Sequence, residues 1–188
     1  MASEVERVYL TGFMTSGKST IGPILANVLG WEFEDLDRVI EELERNSVVD
    51  IFKEKGEKYF RDIEHKLLQN FSISKNLILS LGGGTIAFDR NLEILKKSGK
   101  VVYLKSSPEM IYRRIKNKID RPIFRDLVLS ENSKPEDFIE RINKFLKERE
   151  PYYLTADICI DTDKTSIGVT VDKLAKILKR VINGKNQY

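Results

Sequence analysis

One cysteine and one histidine among 188 residues exclude several kinds of chemistry at the outset. With Cys159 alone, no internal disulfide is possible and a reducing compartment is expected. It sits in the apolar run Ile158-Cys159-Ile160, where it reads as a small buried hydrophobe. His65 alone offers neither a histidine-based metal cluster nor a second imidazole for a dyad, and its charged surroundings read as solvated surface. Charge of one sign is scarce too. The 32 Lys and Arg against 29 Asp and Glu leave a net +3, which argues against a dedicated nucleic-acid binder with a concentrated basic face. No run approaches the ~20 apolar residues of a membrane span, and the opening Met-Ala-Ser-Glu-Val-Glu-Arg has no apolar signal core. A cytoplasmic protein without nucleic-acid or membrane partners is the expectation. Repeats, low-complexity stretches and long linkers are missing, and the length suits one domain over 1–188.

What is present begins at residues 12–19, Gly-Phe-Met-Thr-Ser-Gly-Lys-Ser, which fit GxxxxGK[ST] at every fixed position. The glycines allow a loop tight enough for its backbone N–H groups to surround a phosphate chain. Lys18 adds charge near the β- and γ-phosphates, and the Ser19 hydroxyl can ligate Mg²⁺. The flanks agree. Val8-Tyr9-Leu10 reads as a strand, and Thr20 to Leu29 reads as a helix with Ile21, Ile24, Leu25 and Val28 on one face.

Strand and helix patterns alternate through the rest of the chain. A short segment Trp31–Glu34 ends at Asp35-Leu36-Asp37, and helical patterns follow over about 38–45, 48–55 and 57–71, the middle one capped by Ser47 with Asp50. Asn76–Leu81 reads as a buried parallel strand closed by three glycines. A helix over about 89–98 ends at Gly99, and Lys100–Lys105 is the next strand. Ser107-Pro108 opens a helix, Ser133 and Glu136 mark another running to about Arg149, and a strand at 157–160 precedes a last helix over about 170–182. Alternation of this kind indicates an α/β domain with a parallel sheet. Lys116–Ser130 has poor periodicity of either kind and reads as a functional lid or a plain surface loop.

A phosphate loop serves kinases, GTPases and motor ATPases alike, so other residues must choose between them. Asn117-Lys118-Ile119-Asp120 spells a guanine-reading motif but opens the irregular segment where the motif should close a strand. The strand 77–81 carries Ser80 where a Walker-B aspartate is usual, so Asp35 and Asp37 are the natural replacements. One could sit near Mg²⁺ through water while the other accepts or orients a hydroxyl proton. Alternatively, Asp37 caps the helix that starts at Arg38. Arg61, Arg114, Arg121 and Arg149 could supply positive charge for phosphoryl transfer, although singly each reads as surface and nothing in the chain order shows them converging. Gly82-Gly83-Gly84 follows a parallel strand, where α/β sheets bind ligands and glycine permits close backbone approach; a structural turn is the other reading.

Taken together these residues resemble the shikimate kinase family. The resemblance covers nearly the whole chain and rests on motifs in a fixed order: GFMTSGKST at 12–20, Asp35-Leu36-Asp37, GEKYFRDIE at 56–64, LSLGGG at 79–84, Arg121-Pro122, Arg149-Glu150-Pro151-Tyr152-Tyr153 and Ile160-Asp161-Thr162-Asp163. It implies a three-layer α/β/α P-loop fold like that of nucleoside-monophosphate kinases, with a five-stranded parallel sheet, a substrate-binding helical region over about 36–64 and a lid over about 116–130. It also implies phosphorylation of the 3-hydroxyl of shikimate by MgATP, on the route to chorismate and aromatic amino acids, by a monomer. By that similarity Gly12, Thr15, Ser16, Gly17, Lys18, Ser19 and Thr20 hold ATP phosphates, Ser19 ligates Mg²⁺ and Asp35 supports its water shell. Asp37 binds the shikimate hydroxyls and is the candidate base. Arg61 and Arg149 grip the carboxylate, Gly82, Gly83 and Gly84 contact the ring, Arg121 reaches the phosphates from the lid, and Arg114 flanks the adenine.

Two motifs depart from the family pattern. Thr15 stands where glycine is usual, and Arg121-Pro122-Ile123-Phe124 replaces the more typical Arg-Pro-Leu-Leu. The rivals are a gluconate or nucleoside-monophosphate kinase of the same fold, which lack the combined FR and GGG pattern, and a silent P-loop module. A silent module is expected to have lost Lys18, Asp37 or a substrate arginine, and all are present.

Overall fold

In the computed structural model, which describes residues 5–118 and 122–182, every strand is parallel to its neighbours. The strands are β1 (Arg7–Thr11), β2 (Glu32–Asp35), β3 (Leu77–Ser80), β4 (Lys100–Lys105) and β5 (Ile158–Asp161), in the spatial order β2-β3-β1-β4-β5. Between them run α1 (Lys18–Leu29), α2 (Leu36–Glu44), α3 (Val48–Phe71), α4 (Asp89–Ser98), α5 (Pro108–Ile115), α6 (Pro122–Leu129) and α7 (Pro135–Tyr153); α8 (Ile167–Ile182) closes the domain.

The side-chain period of two sorts the strands onto two faces. Tyr9, Leu77, Leu79, Val101 and Tyr103 pack with Leu36, Ile40, Phe60, Ile111 and Ile142 on one side. Val8, Leu10, Ile78, Val102, Leu104 and Ile160 pack with Ile21 and Leu25 of α1 and Leu174 and Leu178 of α8 on the other. Both faces are covered, which explains why β3 and β4 read as unbroken apolar runs. The result is the expected three-layer α/β/α sandwich around a five-stranded parallel sheet.

Several local expectations need correction. On α1 the buried face is Ile21, Gly22, Leu25 and Ala26, while Ile24 and Val28 are 43% and 41% exposed. Gly22 decides this: a Cβ there would stand 2.2 Å from the Phe33 ring, so the helix lies with its glycine flush on β2. Helix α7 starts at Pro135, with Lys134 as the cap residue. The Asp137 carboxylate accepts from Lys134 N at 2.7 Å, in place of the Ser133–Glu136 pair expected, and the helix runs on to Tyr153. The two patterns at 48–55 and 57–71 lie in α3, where Gly56 at φ +81° interrupts the helical backbone.

The irregular segment holds a helix, α6. Its Phe124 is fully buried against Phe13 and Phe138, and Arg141 of α7 donates to Ile123 O at 2.8 Å. One buried aromatic in eight residues is too weak a period to read in advance, so tertiary packing specifies this helix. Cys159 is exposed, because β5 is an edge strand and only Ile160 of its residues is buried. His65 is half-buried, with Nδ1 2.7 Å from the Oδ1 of buried Asn91.

Candidate active site

The carboxyl ends of β1, β2 and β3 open into one cleft of about 1370 Å³. The strand order places it where ligands bind in open α/β sheets, since the chain leaves β1 past β3 to β2 and later crosses back to β4. The loop after β1 brings Thr15, Ser16, Gly17, Lys18, Ser19 and Thr20 to the cleft. Gly12, at φ +137°, lies behind it: a Cβ there would meet Leu104 O at 2.6 Å, so only glycine lets the loop turn this tightly against β4. Lys18 Nζ reaches across the loop to Gly12 O and Phe13 O at 2.8 and 3.1 Å. Gly17 brings no side-chain acceptor to the first turn of α1, so that turn suits an anionic ligand.

The capping alternative for Asp37 falls to its neighbour. Asp35 is the N-cap of α2, its Oδ1 accepting from Arg38 N at 3.4 Å, and its Oδ2 accepts from Ser19 Oγ at 3.4 Å. Asp37, two residues on, points at the glycine loop. A Cβ on Gly82 would stand 2.8 Å from Asp37 Oδ1. Burial, with the charges of Asp35 and Glu64 adding to it, pushes the Asp37 carboxyl up to about 6, against the opposing pull of Lys18 and Arg61.

The other two glycines meet the arginines. A Cβ on Gly84 would be 2.9 Å from Arg61 Nη2, and one on Gly83 would be 3.5 Å from Arg149 Nη1 and 3.7 Å from Tyr153 Oη. Tyr153 Oη donates to Gly83 O, and burial holds that phenol protonated by raising it to about 12. Each glycine of the run thus faces one charged group at close range, which makes the run more than a turn. Arg61 also lies over the Phe88 ring at 4.7 Å, and Arg149 over Phe145 at 5.1 Å.

Arg61, Arg114 and Arg149, which the chain order could not show to converge, line the same cleft as Asp35 and Asp37. Arg121 lies outside the described residues. Three contributions were not anticipated. Glu64 is fully buried and accepts from Arg61 Nη1 at 3.0 and 3.1 Å, Thr85 Oγ1 at 2.7 Å and Asn91 Nδ2 at 3.4 Å. Its signal was its place three residues after Arg61 on one helix face. Tyr153 had the matching signal, four residues after Arg149. Asp163, quoted above only as the end of a family motif, and Ser106 support Arg114 from separate strand ends, and nothing local marks that role.

A phosphate loop on the first strand of a parallel sheet, with carboxylates and arginines converging on the ends of its neighbours, defines a P-loop phosphotransferase for a small acceptor. The sequence profile of the family described as Shikimate kinase matches residues 14–181. A shikimate kinase of Chloroherpeton thalassium is 46% identical over 178 residues, covering 93% of each chain. Among solved structures, a shikimate kinase of Bacteroides thetaiotaomicron superposes with a TM-score of 0.82 at 32% identity, over 94% of this chain and 99% of its own. The Acinetobacter baumannii enzyme in complex with shikimate gives 0.79 at 34%, over 97% and 96%. The chain belongs to the shikimate kinase family. It is a kinase that phosphorylates shikimate, with ATP as the family's phosphoryl donor.

Proposed function

We propose that this chain transfers the γ-phosphoryl group of ATP to the 3-hydroxyl of shikimate through the residues of this cleft, with Asp37 at the hydroxyl. The observation that carries the assignment of roles is the pairing of Gly82, Gly83 and Gly84 with Asp37, Arg149 and Arg61. Two guanidinium groups and one carboxylate around glycine backbone match a small anion with vicinal hydroxyls. Arg61 and Arg149 hold the carboxylate, and guanidinium geometry fixes its orientation as well as its charge. Asp37 accepts the hydroxyl's hydrogen bond. As the new P–O bond forms and the β–γ bridging P–O bond breaks, the hydroxyl proton passes to Asp37 and ADP departs. A carboxyl near pH 6 is mostly ionised at neutrality yet basic enough for that task.

The Ser19 hydroxyl and the Asp35 carboxylate, adjacent at the cleft, are hard oxygen donors that fit Mg²⁺. Among the described residues there is no cluster of three or more His, Cys, Asp or Glu able to hold a metal. Two protein oxygens completed by water and phosphate are what Mg²⁺ accepts. When bound, Mg²⁺ neutralises phosphate charge. Lys18 and the loop backbone bind the β- and γ-phosphates, Arg114 flanks the adenine, and Arg121 arrives with a lid over about 116–130 and excludes water. The enzyme acts as a single-domain cytoplasmic monomer whose partners are ATP and shikimate, without nucleic acid or membrane. Its small net charge and single cysteine support that reading; among the described residues no helix is long and apolar enough to cross a membrane.

A coupled ADP-release assay comparing shikimate, gluconate and a nucleoside monophosphate at equal concentration tests the acceptor. Turnover with shikimate alone is expected. Turnover with gluconate and none with shikimate would overturn the assignment.

A further inference from the structure

A chain of hydrogen bonds runs from the segment after β5 to the phosphate loop. Asp163 Oδ2 accepts from Ser107 N at 2.7 Å, and its Oδ1 accepts from Ser106 Oγ at 2.6 Å. Arg114 Nη1 donates to that same Ser106 Oγ at 3.4 Å and, more closely, to the Thr15 carbonyl at 2.9 Å. A second, weaker contact is adjacent: buried Thr162 Oγ1 donates to Lys105 O at 3.0 Å and lies 3.4 Å from Ser16 O.

What these bonds hold is a loop that its own sequence does not favour. Thr15 is at φ +62°, in the left-handed region where a β-branched residue is an outlier, and its Oγ1 is buried without a hydrogen-bond partner among the described residues. Such a backbone persists only when its surroundings over-determine it. The surroundings are Arg114 on the Thr15 carbonyl, with the Thr162 hydroxyl, itself bonded to Lys105 O, beside the next one. Arg114 is held in turn by Ser106, and Ser106 by Asp163. Burial would raise the Asp163 carboxyl, but the donors from Ser106 and Ser107 outweigh it and keep the group below the ordinary aspartate range. It is therefore a firm ionised anchor at neutral pH.

We infer that Asp163 is a positioning residue for the phosphate loop, acting through Ser106 and Arg114 to hold Thr15 in its left-handed turn. The inference rests on the reading that this loop takes the phosphates of ATP. It also gives Arg114 a second task, independent of any contact with adenine. Pyrophosphate separates the two tasks, because it has phosphates and no base. Glycine at position 15 provides the complementary control, since it adopts the turn without strain and makes the strap dispensable.

The test titrates magnesium pyrophosphate by calorimetry into the full chain and into Asp163→Ala, Arg114→Ala, the double variant, and Asp163→Ala combined with Thr15→Gly. ATP and shikimate KM are measured in parallel. Pyrophosphate affinity and ATP KM should each worsen about tenfold in Asp163→Ala, the scale of one charge-assisted hydrogen bond, with shikimate KM unchanged within about twofold. The double variant should be no worse than Arg114→Ala, and Thr15→Gly should restore pyrophosphate binding. Unchanged pyrophosphate affinity in Asp163→Ala, effects that multiply in the double variant, or failure of Thr15→Gly to rescue would each overturn the inference. If the unaltered chain bound neither pyrophosphate nor ATP, the nucleotide reading itself would fall. Should Asp163→Ala not fold, Ser106→Ala cuts the link to Arg114 while sparing the Ser107 bond, and the same pattern is required of it.

Discussion

Arg61 Nη1 donates to both carboxylate oxygens of Glu64, at 3.0 and 3.1 Å, and Glu64 has no exposed surface at all. A cleft-lining guanidinium is thereby fixed from behind by a buried carboxylate that Thr85 and Asn91 also satisfy. Removing one partner of a buried pair typically costs about 3–5 kcal/mol, mostly for the charge left behind. Arg61→Ala should therefore lower the stability measured in a denaturant melt by about that amount and raise shikimate KM at least about tenfold, with ATP KM little changed. An unchanged shikimate KM would count against the carboxylate clamp.

The Asp37 carboxyl, raised from its ordinary 3.8 to about 6, predicts an acid limb near pH 6 in kcat/KM for shikimate, because in the proposed mechanism the ionised form accepts the hydroxyl proton. Glu64→Gln removes one of the charges that raise it, so the limb should move to lower pH. Steady-state pH profiles of the two proteins check this. A limb that stays in place would mean that another group sets it.

The same shift carries a stability cost with a definite sign. A carboxyl whose folded value lies above its unfolded value binds protons more tightly when folded. The penalty is thus fully present above pH 6 and disappears as pH falls from 6 towards 4. Asp37→Asn should collapse turnover, leave ATP binding largely intact and stabilise the fold at pH 7.5 by on the order of 2–3 kcal/mol, with the gain absent near pH 4. Melts at the two pH values decide it. A variant with near-normal turnover would exclude Asp37 from the chemistry.

The glycine run makes a graded prediction. Gly83→Ala places its methyl at ordinary contact distance, 3.5 Å from Arg149 Nη1, and should keep most of its activity. Gly82→Ala puts a methyl 2.8 Å from Asp37 Oδ1, so the carboxylate must move. Displacement by about 1 Å costs about 10²-fold in turnover. Comparable kcat values for the two variants would show that Asp37 is not positioned by Gly82.

Ser19 and Asp35 should share responsibility for the divalent ion. Chelation with EDTA is expected to abolish turnover and added Mg²⁺ to restore it. Ser19→Ala should shift the Mg²⁺ dependence of the rate to concentrations at least about tenfold higher, since it removes one of two protein oxygens. An unaltered Mg²⁺ titration would place the ion elsewhere in the cleft.

Much of this was legible in the chain because it is carried by local rules. The Gly12–Ser19 pattern, the apolar runs of β3 and β4, the Ser47 and Ser107 caps and the break at Gly56 each depend on residues within a few positions of one another. The rotation of α1 was not legible, because it is set by Phe33 meeting Gly22 across the layer. Helix α6 escaped for a similar reason, its order coming from Phe124 between Phe13 and Phe138. Cys159 was misplaced since an apolar run does not say whether its strand is central or at an edge.

The sequence by itself determined a phosphate loop, a parallel α/β sheet and the types of side chain a kinase for a small anionic polyol would need. Those are composition and spacing, and they survive in one dimension. Only the tertiary structure decided that Asp35 caps α2 and leaves Asp37 to Gly82, that Arg61 rests on buried Glu64, and that Asp163 reaches Thr15 through Ser106 and Arg114. These partners are joined by turns, strand ends and packed faces whose proximity no local preference encodes. Burial and charge at the site exist only once the sheet has brought them together.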